Sequence, residues 1–201
     1  MSIQPKQRPI IFSADMVRAI LAGKKTQTRR VVKVQPPENT AGCVQVWKGE
    51  NHWDFWGFNG AETKRVKCPY GVVGDQLWVR EGYADILWEV TASGKEVRKI
   101  IYKADEQHGA TIIHPVWKTP LFMPRAASRI LLEITDIRVE RVQDISEQDA
   151  IAEGVKFSGI GGGMNPHQDY CGLWSRINGN ESWIENPWVW VIEFKRVGGA
   201  S

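Results

Sequence analysis

The sequence predicts an α+β protein: a curved, barrel-like sheet with a few short peripheral helices. Three observations lead there. Stretches rich in β-branched and aromatic residues recur along the whole chain, while helical spacing is confined to short segments near 12–23, 144–155 and 171–179. The chain of 201 residues shows no internal repeat and no domain-scale linker, so one domain spanning 1–201 is expected. Its 42% hydrophobic and 24% charged residues belong to a globular chain that can bury a core.

The elements follow in order. FSADMVRAILAG (12–23) reads as a helix: Ser13 can cap it, Met16 or Val17, Ile20 and Leu21 recur at helical spacing, and Gly23 stands where a C-terminal cap belongs. The next residues, in GKKTQTRR (23–30), are polar. The chain then turns β-branched, so Thr28 to Val34 is expected as a strand with Thr28 and Arg30 on one face and Lys25 in the turn before it. QPPENTAG (35–42) reads as a loop. Residues 43–66, with Trp47, Trp53, Phe55, Trp56 and Phe58, read as strands or an irregular hairpin. Turn residues Pro69, Gly71, Gly74 and Asp75 lead into a strand at Gln76–Arg80, and VRKIIYKA (97–104) is another. KTPLFMPRAA (118–127) is extended. In SRILLEITDIRVERV (128–142), Ile130, Leu132 and Ile134 share one parity and Ile137 and Val139 the other, which places a bulge or a turn near Asp136.

DISEQDAIAEGV (144–155) is the second clear helix, with Ser146 and Asp149 as a weak capping box, Ile151 on its apolar side and Gly154 at its end. SGIGGGMNPHQ (158–168) reads as a flexible loop that lacks the lysine and spacing of a phosphate-binding loop. CGLWSRING (171–179) reads as a third short helix. NPWVWVIEFKRV (186–197) reads as a closing strand with Trp188, Trp190, Ile192 and Phe194 on one face. The ends, 1–8 and 198–201, are expected to be flexible.

Composition narrows the function classes. A net charge of +3 permits a nucleotide or nucleic-acid partner without demanding one. Cys43, Cys68 and Cys171 are odd in number, far apart and without a CxxC, and the four histidines are scattered, so no disulfide framework, metal or cofactor is expected. No apolar run approaches the ~18 residues of a membrane span, and the N-terminus lacks a signal-like core, so a cytoplasmic protein without a membrane partner is expected. Most of the ten tryptophans are read as core, a few as surfaces on which a base could stack.

Three groups of residues could carry chemistry. Threonine is a weak nucleophile that needs a nearby base, and a lysine serves when burial and like charges lower its pKa. Lys24, Arg29 and Arg30 surround Lys25 in sequence, three residues before Thr28. The plain alternative is a solvated basic turn. Glu153 is expected in the last turn of its helix, where the dipole disfavours a carboxylate, a placement that suits a general acid/base; an exposed glutamate is the alternative. In WVRE (78–81), Arg80 and Glu81 are either a surface pair or part of a pocket with Trp78 and Tyr83.

Gly23, Lys25, Thr28 and Arg30, in the order G-x-K-x-x-T-x-R, are similar to the signature of the ASCH domain family, whose β-barrel resembles the PUA fold of RNA-modifying enzymes. GDQLWVRE (74–81), the run 128–155 and PWVWVIEF (187–194) also resemble ASCH proteins of bacteria and phages, so the resemblance spans roughly residues 10–196. It implies a PUA-like ASCH barrel. Some compact bacterial members are amidohydrolases that remove the acetyl group of N4-acetylcytidine. The resemblance then implies Thr28 as nucleophile, Lys25 as base and Glu153 as acid/base, with Glu81 as the fallback acid. Arg30 or a backbone N–H near Gly23 would stabilise the oxyanion, and Tyr83 or Trp78 would stack on the base. The expected partner is a modified cytidine nucleoside or small nucleotide, with no sequence-specific DNA binding. This chain is longer than the compact members, and the stretches near 43–66 and 158–186 read as insertions. The resemblance leaves two alternatives open: an RNA-binding module without catalysis, and a ribonuclease.

Overall fold

A computed structural model of the chain describes residues 4–37, 40–45, 51–58, 62–90, 96–106, 115–155 and 165–197. Among these the protein is α+β, with three sheets and few helices. The main sheet contains β1 (Gln7–Ile11), β2 (Gln27–Val31), β6 (Gln76–Arg80), β9 (Leu131–Arg141) and β10 (Trp188–Arg196) in the order β1-β6-β9-β10-β2. β1 and β6 run parallel; the other pairs are antiparallel. A second sheet holds β3 (Thr40–Gln45), β4 (His52–Gly57) and β5 (Glu62–Lys67), and a third holds β7 (Tyr83–Val90) and β8 (Glu96–Tyr102). The helices are α1 (Ala14–Leu21), α2 (Glu147–Ala152), α3 (Pro166–Asn178) and α4 (Asn180–Ile184).

β10 organises the interior because both of its faces are apolar. Trp188, Trp190, Ile192 and Phe194 enter the larger core, where Trp190 and Trp188 meet Trp53 and Phe55 of β4 edge-on at ring separations of 5.7 and 5.3 Å. Val189 and Val191 face the other way, under Ala150 of α2 and Tyr170 and Trp174 of α3. The expected apolar face is therefore present, and a second one lies opposite it. Glu193 pairs with Asp136 and Phe194 with Ile134, so Thr135 is the extra residue of a bulge. That bulge is the parity switch seen in the sequence, and it keeps Leu132, Ile134 and Ile137 all buried on one long strand.

Among the described residues the strands form no closed barrel, which corrects the barrel expected from the sequence. The two edges of the main sheet nevertheless approach each other. Arg30 of β2 donates from Nη2 to the carbonyl of Ile11 at the end of β1 (2.6 Å), with its guanidinium 5.2 Å from the Phe12 ring.

Several boundaries shift. Gln7 and Arg8 are paired in β1 rather than part of a loose end, and Thr40–Gly42 belong to β3 rather than to a loop. Residues 118–127 contain two 3-10 turns, Pro120–Phe122 and Arg125–Ala127, rather than one extended run. α3 begins at Pro166 behind an Asn165–Gln168 capping box, so 165–168 are helix start and not flexible loop. The remainder of that expected loop, residues 158–164, lies outside the described residues, as do Trp47, 1–3 and 198–201. No helix among the described residues is long and apolar enough to cross a membrane.

Candidate active site

The polar stretch after α1 is fixed by its backbone. Gly23 takes φ +69°, the left-handed conformation that ends a helix. Its N–H donates to Ile20 O (3.0 Å), and the N–H groups of Lys24 and Lys25 both donate to Ala19 O (2.9 and 3.1 Å). Thr26 then donates to Ala152 O and accepts from the Phe194 N–H, each at 2.8 Å. The loop is thus tied to the end of α2 on one side and to β10 on the other. This brings Lys25 opposite Glu153, the C-cap residue of α2. Gly154 permits the approach: its φ is +82°, and a Cβ there would lie 3.0 Å from the Cβ atoms of Ala19 and Lys25.

Lys25 and Glu153, 128 residues apart in sequence, form a buried ion pair. Nζ donates to Glu153 Oε2 at 2.6 Å and to the Glu153 carbonyl at 2.9 Å, and the Lys25 side chain is fully excluded from solvent. Burial pulls the Lys25 pKa below the ordinary lysine value of 10.5. Glu153 opposes that shift, and Arg30 and Arg29 add to it. The sequence expectation of a lowered lysine is met in direction, with desolvation rather than the neighbouring cations as the main cause. Arg29 Nη1 reaches Glu153 Oε1 at 3.3 Å; its remaining donors go to Glu140 and to Asp149 Oδ2, 3.1 Å away. Burial disfavours the Arg29 charge, but Glu153 and Glu140 outweigh it, so the guanidinium stays protonated.

A cavity of about 150 Å³ opens beside this pair. Its polar side carries Thr28, Arg29, Arg30 and Glu153; Tyr70 and Tyr170 flank them, and Met16, Leu173 and Ile177 from α1 and α3 form an apolar wall. Thr28 is 2% exposed, yet its hydroxyl makes no hydrogen bond among the described residues and meets the cavity. Lys25 is not on the cavity surface: it lies behind Glu153, in contact with it. The arrangement can present a hydroxyl to a bound carbonyl and can move a proton along the 2.6 Å Lys25–Glu153 contact.

Of the sequence candidates, Lys25, Thr28, Arg30 and Glu153 come together here. The others do not. The N–H of Gly23 and of the two residues after it are consumed in the helix cap, so they make no oxyanion hole. Glu81 is not paired with Arg80: it is buried and holds Arg129 through two contacts of 2.9 and 3.0 Å, and burial, opposed by Arg129, raises its pKa. Trp78 is buried with the guanidinium groups of Arg80 and Arg125 4.6 and 5.9 Å from its ring. Tyr83 packs with Met123 and Ala127 and donates its hydroxyl to Phe122 O (3.2 Å). Neither aromatic lines the cavity. Arg29 entered the sequence reading only as a charge near Lys25, and Tyr170 did not enter it. Arg29 left no signal beyond its charge. Tyr170, Leu173, Trp174 and Ile177 do recur at helical spacing after the Asn165–Gln168 box, and that pattern marks one face of α3. Among the described residues, no three of His, Cys, Asp and Glu converge as a metal site. Comparison of the chain with protein-family models, with curated proteins and with solved structures finds no match to any of them.

Proposed function

We propose that the protein is an amidohydrolase that removes the acyl group of N4-acylcytidine-type nucleosides. One observation carries the reading: a threonine hydroxyl without a hydrogen bond among the described residues and a carboxylate bonded to a buried lysine share one small cavity. Size agrees, since a cavity of about 150 Å³ holds a six-membered ring. The acylated base would enter while the ribose stays at the mouth. The resemblance to ASCH proteins supplies the substrate class, and with it the proposal that the main sheet is an opened PUA-like barrel whose edges Arg30 bridges.

The chemistry balances on one proton. With Lys25 neutral and Glu153 ionised, Thr28 Oγ attacks the acyl carbon and its proton passes by way of the Glu153 carboxylate, which faces the cavity, to Lys25 Nζ. The carbonyl electron pair moves to oxygen, returns, and expels the amine. Lys25 relays the proton across the 2.6 Å contact to Glu153, which gives it to the departing nitrogen. Glu153 then takes a proton from water, the hydroxide attacks the acyl-threonine, and Glu153 returns the proton to the departing Thr28 oxygen. The net change is amide plus water to carboxylic acid plus amine. The lowered pKa of Lys25 makes its neutral form accessible.

The test is chromatographic: purified protein with N4-acetylcytidine and with a bulkier N4-acylcytidine, beside Lys25→Ala. Cytidine release that depends on Lys25 supports the reading. Release equal in the variant, or none from the wild type, contradicts it.

A further inference from the structure

Resting on that function, we infer that the Tyr170 hydroxyl is a hydrogen-bond donor to the oxyanion formed when Thr28 attacks. Most of the donors in reach of the cavity are otherwise engaged. Gly23, Lys24, Lys25 and Thr26 use their N–H groups on Ile20, Ala19 and Ala152 carbonyls. Lys25 Nζ is held by Glu153, and every nitrogen of the Arg29 guanidinium faces a carboxylate. Asn178 turns its amide to Trp174 O, and Arg30 commits Nη2 to the Ile11 carbonyl with its guanidinium 5.2 Å from the Phe12 ring, which leaves its Nε and Nη1 as a second donor group beside Tyr170.

Tyr170 is different. It is 3% exposed and lines the cavity, and its hydroxyl has no hydrogen-bond partner among the described residues. The ring is buried while the hydroxyl is open to the cavity, so a ligand there can take its hydrogen bond without displacing a protein partner. The apolar part of the ring is anchored between Trp174 and Trp183, with centroids 6.2 and 6.3 Å away, and the Arg29 guanidinium lies 5.8 Å from it. The ring is therefore fixed before substrate arrives, as electrostatic stabilisation requires. Burial and the Glu153 charge keep the phenol protonated far above neutral pH, so it donates and does not titrate. Tyr70 also lines the cavity, but it is only partly buried, and the charge it feels most is that of Arg30 rather than Glu153. The charge that Tyr170 feels most is that of Glu153. Tyr170 sits on α3, outside the segments that resemble ASCH proteins.

The experiment is Tyr170→Phe in the full chain, with N4-acetylcytidine turnover and thermal unfolding measured on the same preparation. Losing one oxyanion donor should lower kcat by about 10²- to 10³-fold with KM little changed. Because the hydroxyl holds nothing in the free protein, the unfolding midpoint should stay level or rise. That split separates catalysis from packing. A kcat within about threefold of wild type overturns the inference, and so does a loss of kcat accompanied by a clearly lower midpoint. Absence of turnover in the wild type overturns the amidohydrolase reading and this inference together. Turnover in the wild type that survives in the variant overturns the role of Tyr170 alone.

Discussion

Replacing Lys25 with Met removes the ammonium but keeps much of the apolar stem. Glu153 then loses its 2.6 Å partner, and its carbonyl loses a 2.9 Å donor, in a place where neither regains water. Breaking a buried pair in this way costs about 3–5 kcal/mol, mostly because the remaining charge is stranded. Arg29, 3.3 Å from the other carboxylate oxygen, still compensates in part, which puts the expected loss near the lower end, about 3 kcal/mol. For a chain of this size that is a fall in Tm of about 6–12 °C. The double variant Lys25→Met/Glu153→Gln removes the stranded charge and should recover at least ~1 kcal/mol of the summed single losses, because residues in contact are not additive. Urea unfolding followed by two optical probes measures all four proteins. A Lys25→Met protein within about 0.5 kcal/mol of wild type, or strictly additive losses, would show that the pair is not locked together as described.

Other outcomes follow from the same geometry. Gly154→Ala forces an alanine into φ +82° with its Cβ 3.0 Å from Lys25 Cβ; denaturant titration should show a loss of about 1–3 kcal/mol, and turnover should fall with it. Burial would raise the Asp75 pKa, but the Lys6 N–H, Arg8 and the Val72 N–H hold it below the usual 3.8. That stability is present above pH 3.8 and is lost as pH falls through the folded value, so an acid titration of unfolding should lose this component in Asp75→Asn. The rate should rise with pH as Lys25 loses its proton, with a midpoint below 10.5 in kcat/KM, and Lys25→Arg, which cannot give up its charge, should abolish turnover. Turnover of a neutral nucleoside should be nearly independent of salt, whereas steep salt dependence of RNA affinity would favour the binding alternative.

How legible was this site beforehand? Local signals were good where one short-range cause decides the structure. Ser13 caps α1, Ser146 caps α2, Gln76–Arg80 is β6, and the parity change around Asp136 is a bulge at Thr135. Lys25, Thr28 and Arg30 were readable as a group because they are separated by a helix cap and one strand pleat. The partnership of Lys25 with Glu153 is long-range, and it is set by backbone links from Thr26 to Ala152 and Phe194 that no local pattern specifies. Trp78, Glu81 and Tyr83 were misplaced for the complementary reason. The strand of Trp78 was read correctly, but Glu81 lies beyond its end and Tyr83 starts β7, and whether any of them meets the cavity depends on how the sheets are arranged. β10 shows the same limit: its tryptophan face was visible, while the burial of Val189 and Val191 required α3 on the opposite side. Tyr170 was not legible because the Asn165–Gln168 box that starts its helix is continuous in sequence with a Gly-rich run whose composition reads as loop.

The most direct test of the account is N4-acetylcytidine hydrolysis by wild type, Thr28→Ala and Thr28→Ser, each checked for an unchanged unfolding midpoint. The account predicts cytidine release by the wild type, none by the alanine variant, and partial release by the serine variant, which keeps the hydroxyl that faces the cavity. Undiminished release by Thr28→Ala would contradict it.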